Sequence, residues 1–159
     1  MLRFKRFIAA AVAALAIAAM PHVCASSSTV SEPPENLHGF ADLYWGETLR
    51  EVQGEYKTGF VEYAAGGTRY FIEIPEAHGF LGFEGEAVPV AHFAAGRLES
   101  LRLSTGEPAA CRSKLTGAFG EPEVIKGKEY TSYLWSTRDS TILLRAAGKS
   151  GTLFLFKNN

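Results

Sequence analysis

Cysteine is almost missing from this chain: Cys24 and Cys111 are the only two in 159 residues. That count excludes a fold held together by a framework of disulfides. Histidine is nearly as scarce. His38, His78 and His92 each stand without a second ligand two to four residues away and without a cysteine nearby, so zinc-type spacing is lacking. No Gly-x-Ser-x-Gly and no Ser-x-x-Lys occurs, which removes two familiar signatures of a serine nucleophile. An excess of positive charge is lacking too. The 16 basic residues are scattered and face 17 acidic ones, an unsuitable balance for gripping a phosphate backbone. Finally, the longest apolar run, Phe7 to Met20, falls short of the roughly twenty residues needed to span a bilayer as a helix.

What is present begins with an address. Arg3, Lys5 and Arg6 precede that apolar run, Pro21 and His22 interrupt it, and Val23-Cys24-Ala25 supplies small residues before a serine-rich stretch. Cationic head, short apolar core and small-residue end are the three parts of a secretory signal peptide. Residues 1–25 are therefore expected to be a signal and the mature protein to be exported, periplasmic or secreted. Cleavage after Ala25 leaves 13 basic against 17 acidic residues, a net charge of −4, with Cys111 as the only cysteine. Cleavage nearer Ala18 or Ala19 keeps both cysteines and permits a bridge. Lipidation at Cys24 is the other reading of that residue, although Pro21-His22-Val23 departs from the Leu-small-small context such processing favours. Membrane association follows only from an uncleaved signal or a lipidated Cys24.

Residues 26–37, with Pro33-Pro34 among serines and glutamates, read as a flexible polar linker. A single domain, 38–159, follows. Thr48-Leu49-Arg50-Glu51 has the form of a capping box, and Leu49, Val52 and Tyr56 fall on one face of a short helix. Gly59–Tyr63 and Arg69–Ile74 alternate like half-buried strands. His78–Gly85, with Gly79, Gly82 and Gly85, reads as a loop or bent edge strand, and Ala87–Phe93 with Arg97–Ser104 as a hairpin. A second helix is the clearest element: Pro108 in its first turn, Cys111, Leu115, Ala118 and Phe119 as its stripe, then Gly120 and Pro122 to end it. Three strands are predicted after it, Glu129–Trp135, Thr141–Arg145 and Thr152–Phe156.

This order gives an α+β domain: a two-layer sandwich of short helices on antiparallel sheet, built from two pseudo-repeated helix-plus-meander halves. The last strands are apolar on both faces: Tyr133 and Trp135 against Leu134, Ile142 and Leu144 against Leu143, and Phe154 and Phe156 against Leu153 and Leu155. A sheet with one wet face alternates more cleanly. Either the domain itself covers the second face or a partner does.

Trp45-Gly46 with Thr48 and Val52, Phe93 with Gly96-Arg97-Leu98, Leu115 with Phe119-Gly120-Glu121-Pro122, and Trp135 with Ile142 and Leu144 make a recognisable set of landmarks. The set resembles a pattern in small exported bacterial α+β proteins of unassigned function. More loosely, it is similar to β-lactamase-inhibitor-like and outer-membrane-assembly-lipoprotein modules. The resemblance implies a helical element ahead of an antiparallel sheet and a role in binding other proteins. It carries over no functional residue.

Chemical motifs are weak. Gly148-Lys149-Ser150 lacks the glycine a P-loop needs at position 143, where Leu143 stands, and a strand rather than a helix follows. The Gly79–Gly85 triplet lacks the strand and helix of a dinucleotide site. His92 reads as a hydrogen-bonded sheet histidine. Cys111 beside His92 or His78 is the one nucleophilic constellation, since a cysteine in a helix's first turns feels the positive end of the dipole. Its place on the apolar stripe makes it a buried hydrophobe instead. No catalytic, cofactor-binding or metal-binding residue is assigned. The aromatic clusters point to binding of an envelope or extracellular protein, with Phe80, Leu81, Phe83, Tyr133 and Trp135 as the expected interaction surface. A small-ligand or lipid carrier with an apolar cavity is the alternative, and a cysteine-dependent enzyme the third reading.

Overall fold

The computed structural model describes residues 36–159. The expected signal segment, Cys24, and the expected linker as far as Glu35 lie outside the described residues. The chain enters through a minimal hairpin, β1 (Gly39–Phe40) and β2 (Leu43–Tyr44), whose Phe40 and Leu43 are fully buried. Helix α1 (Leu49–Glu55) then forms where the capping box predicts. Glu51 N–H donates to Thr48 Oγ1 at 3.3 Å, and Thr48 N–H donates to Glu51 Oε2 at 2.7 Å. Two orphan donors of the first turn are thereby satisfied. The same Thr48 N–H holds the Glu51 carboxyl below its ordinary value. Val52 carries the helix's buried face.

Four strands follow: β3 (Lys57–Ala64), β4 (Gly67–Glu73), β5 (Val90–Ala94) and β6 (Arg97–Thr105). Helix α2 (Pro108–Phe119) comes next, with Pro108 in its first turn, and its apolar stripe buries Cys111 and Leu115. Gly120 ends it at φ +80°, a conformation that other residues rarely adopt. The Trp135 indole donates to the Gly120 carbonyl at 2.9 Å and ties that end to the sheet. Four more strands close the chain: β7 (Glu123–Lys126), β8 (Thr131–Ser136), β9 (Ser140–Ala147) and β10 (Ser150–Lys157). Strand β7 has no counterpart in the sequence reading. Its four residues are all exposed, so no alternation marks it.

β3 to β10 form one antiparallel sheet in the order β3-β4-β5-β6-β10-β9-β8-β7. In chain order this is a helix and four strands, twice, with the last strand of each half paired to the other. Ile72, Ala91, Phe93, Leu101, Leu103, Leu153, Leu155, Ile142 and Leu144 point to one face and are the core. The expectation of a two-layer sandwich of helix on sheet is met only in part. Sheet dominates, and two helices of 7 and 12 residues are too short to cover eight strands. The entry hairpin and the loop between Ile74 and Ala87 fill the remainder of that layer. Thr48→Ala is expected to lower unfolding free energy by about 1 kcal/mol in a denaturant titration. Glu51's share of the cap is present above the ordinary carboxylate range and is lost as pH falls through its lowered folded value. Thr48→Ala keeps the backbone N–H that is the main cause of that lowering and loses only the Thr48 hydroxyl bond, so the variant's acid limb becomes slightly shallower.

Candidate docking face of the sheet

The opposite face of the sheet is built by strand register alone. Glu123, Leu134, Leu143, Phe154, Arg102, Val90, Phe71 and Gly59 are consecutive cross-strand partners, one residue from each of the eight strands. Period-two alternation sends them all away from the helices. The five apolar members, Leu134, Leu143, Phe154, Val90 and Phe71, are only half-buried, whereas their neighbours one residue along are sealed in the core. The doubly apolar strands thus enclose no space between their two faces: one face packs and the other is open. Phe156, 39 % exposed, stacks parallel to Phe154 with ring centres 6.2 Å apart.

Two shallow depressions flank Phe154. One, of about 200 Å³, is lined by Arg69, His92, Ser100, Arg102, Phe154 and Phe156 among others. The second, of about 420 Å³, lies against Tyr130, Arg145, Thr152 and Phe154. The Arg145 guanidinium sits 5.1 Å from the centre of the Tyr130 ring and 5.4 Å from that of Phe154, within cation–π range of both. Arg69 is paired to Glu62 on the neighbouring edge strand. His92 does not make the hydrogen bond expected of it. Its Nε2 is buried without a partner, and a Cβ on Gly67 would come within 2.9 Å of it.

The residues singled out from sequence fall elsewhere. Phe80 and Phe83 meet the Phe40 ring edge-on, at centroid distances of 5.2 and 5.5 Å, and Leu81 packs against the same cluster. Gly82 holds φ +87° with Cys111 directly beneath it; an added Cβ would lie 3.1 Å from Cys111 Cα. This loop packs on the core as part of its lid while Phe80, Leu81 and Phe83 stay half-buried, like the apolar residues of the open face. Trp135 is 3 % exposed and belongs to the core. Tyr133 lies on the helix side, its hydroxyl accepting from Arg112 Nη1 at 3.3 Å. The structure thus places Phe80, Leu81, Phe83, Tyr133 and Trp135 all in or against the same core cluster, on the covered side of the sheet. The row Leu134, Leu143, Phe154 and Phe156 is the part of the open face that sequence exposes, as an excess of apolar residues over strict alternation. Arg102 and Arg145 carried no sequence signal, because only register places them beside Phe154.

Cys111 is 1 % exposed, and burial pushes its thiol up to about 11. A thiolate nucleophile is accordingly scarce at neutral pH. Among the described residues no three His, Cys, Asp or Glu side chains converge as metal ligands, and no helix is long and apolar enough to cross a membrane. Comparison with protein-family models, with curated proteins and with solved structures finds no match to this chain. Cys111 should resist a thiol reagent at neutral pH and react promptly once the chain is unfolded in denaturant. Rapid labelling of the native protein would contradict the burial described here.

Proposed function

We propose that this chain is an exported, non-enzymatic binding module that engages a protein partner through the open face of its sheet. One observation carries the reading: an apolar row crosses the sheet on the face that, among the described residues, no helix or loop covers, while the other face already supplies the core. Contiguous exposed apolar surface of this kind marks interaction sites in folded proteins. Its phenylalanines and arginines are among the residue types enriched at interfaces. Export is supported by the cationic start and short apolar run of residues 3–20. The absence of catalysis is supported by a sealed, protonated Cys111. Trp135 and the Phe80–Phe83 loop act in this reading as scaffold, holding the covered face so that the open face stays flat to its partner.

A photoreactive benzophenone amino acid at Thr141, on the open face, should cross-link to one protein in the cells that make this chain. The same group at Gln53, on the outer surface of α1, should not. The adduct from position 141 should weaken in a Phe154→Ala background. No adduct at 141, or equal adducts from both positions, would overturn the reading, and an adduct with lipid would favour the carrier alternative.

A further inference from the structure

The described residues as a group lean negative, with 13 basic against 15 acidic side chains. The open face reverses that balance. On its four central strands, β5, β6, β10 and β9, register places Val90, His92, Ser100, Arg102, Ser104, Thr152, Phe154, Phe156, Thr141, Leu143 and Arg145; the one carboxylate on those strands is Glu99, at the bulge of β6, and it lies 3.8 Å from Lys157. Arg102 and Arg145 bracket Phe154, one as its cross-strand partner and the other over its ring. Among the described residues neither arginine meets an acidic side chain; every ion pair lies elsewhere. Of the acids on its outer strands, Glu62 and Glu73 are taken by Arg69 and Lys57, while Glu123 stands on β7 at the far edge, three strands from Phe154.

Uncompensated arginine beside aromatic rings is a specific arrangement. A guanidinium offers a planar fork that fits a carboxylate with two parallel hydrogen bonds. Apolar walls around it lower the local dielectric and strengthen that pairing. The depression beside Arg102 supplies such walls in Phe154 and Phe156, and the Ser100 hydroxyl lines the same hollow. Two unpaired arginines are too few to grip a nucleic-acid backbone, whose binding scales with the number of phosphates neutralised. The long apolar row beside them equally has no use for a phosphate, but it fits leucine or phenylalanine side chains.

Resting on the docking reading above, we infer that the partner presents an acidic segment, with an aspartate or glutamate carboxylate seated on Arg102 between Phe154 and Ser100 and flanking apolar residues along the Leu134–Leu143–Phe154 row. Arg145 draws a second carboxylate toward the other side of Phe154. Uncompensated positive potential on a chain of negative balance also orients the approaching partner, so association is fastest at low ionic strength.

The test uses random peptides displayed on phage and selected against the whole protein. Selected sequences should be rich in aspartate and glutamate next to leucine or phenylalanine. The tightest should lose affinity roughly ten- to a hundredfold on Arg102→Ala, the range expected for a hydrogen-bonded charge pair, and should also weaken on Phe154→Ala. Arg102→Glu should turn the selection toward lysine and arginine; Arg102 is exposed, and an unchanged circular-dichroism spectrum verifies that the variant folds. Peptides that depend on Phe154 yet show no acidic bias would overturn this inference and leave the docking face standing. Peptides indifferent to both substitutions, or no peptides at all, would remove the docking face and this inference with it. Equal or tighter binding of a single-stranded oligonucleotide or a phosphatidylserine vesicle, lost on Arg102→Ala, would overturn it in favour of a general polyanion surface.

Discussion

Everything in this molecule depends on the pairing of β6 with β10. Among the described residues, the six registered pairs from Ser100↔Phe156 to Thr105↔Gly151 are the only strand pairing that joins the first helix-and-meander half to the second. Without it each half is a four-strand meander with one short helix, an arrangement with little apolar area to bury and two unpaired edges. With it, Leu101 and Leu103 lie beside Leu155 and Leu153, and a single core runs beneath both halves. The same register aligns Arg102 with Phe154 on the far face. Core and open face are thus two sides of one set of hydrogen bonds.

The layer that covers the core is a composite, which explains several local features. α1 and α2 are too short to roof eight strands, so the roof is completed by irregular chain. The Phe80 and Phe83 rings close on Phe40, and Gly82 lets the loop approach Cys111. His78 and Leu81 take positive φ values of 52° and 50° in that loop, a strain that persists only because surrounding packing fixes the chain. At the entry, the Trp45 indole donates to Ser140 Oγ at 2.7 Å, and Ser140 Oγ donates in turn to the Leu37 carbonyl. His38 lies 3.0 Å from Asp139 beside them. The first described residues are in this way fastened to the β8–β9 turn.

The covered and open faces also divide the aromatic residues by task. Aromatics on flexible loops are expensive unless they pack, and Phe80 and Phe83 do pack. Aromatics on the regular sheet cost less to expose, because the strand backbone is already ordered and little further freedom is lost on binding. A surface of this kind is preorganised: Phe154, Phe156 and Arg145 already stack on one another before any partner arrives. The proposed acidic partner would meet a surface that changes little on contact.

Much was legible in the residues themselves, where the cause is local. The capping box at Thr48 and Glu51 and the ends of α2 at Pro108 and Gly120 are matters of neighbouring backbone groups, and they read directly from sequence. So did the excess of apolar residues at 134, 143, 154 and 156, which period-two alternation reveals without knowing any partner strand. β7 escaped because a four-residue strand exposed on both faces has no hydrophobic period. The site lay further out of reach. Phe80, Leu81 and Phe83 stand out in sequence as apolar residues on a glycine-rich loop, and only the position of Phe40 decides that they face inward. Arg69, Arg102 and Arg145 are far apart along the chain, and their union on one face around Phe154 follows from strand order and register. The sequence by itself determined the elements and their apolar faces, because those arise from interactions a few residues long; the tertiary structure alone decided which apolar face stayed open and which charges stood upon it, because those arise from pairings between strands remote in the chain.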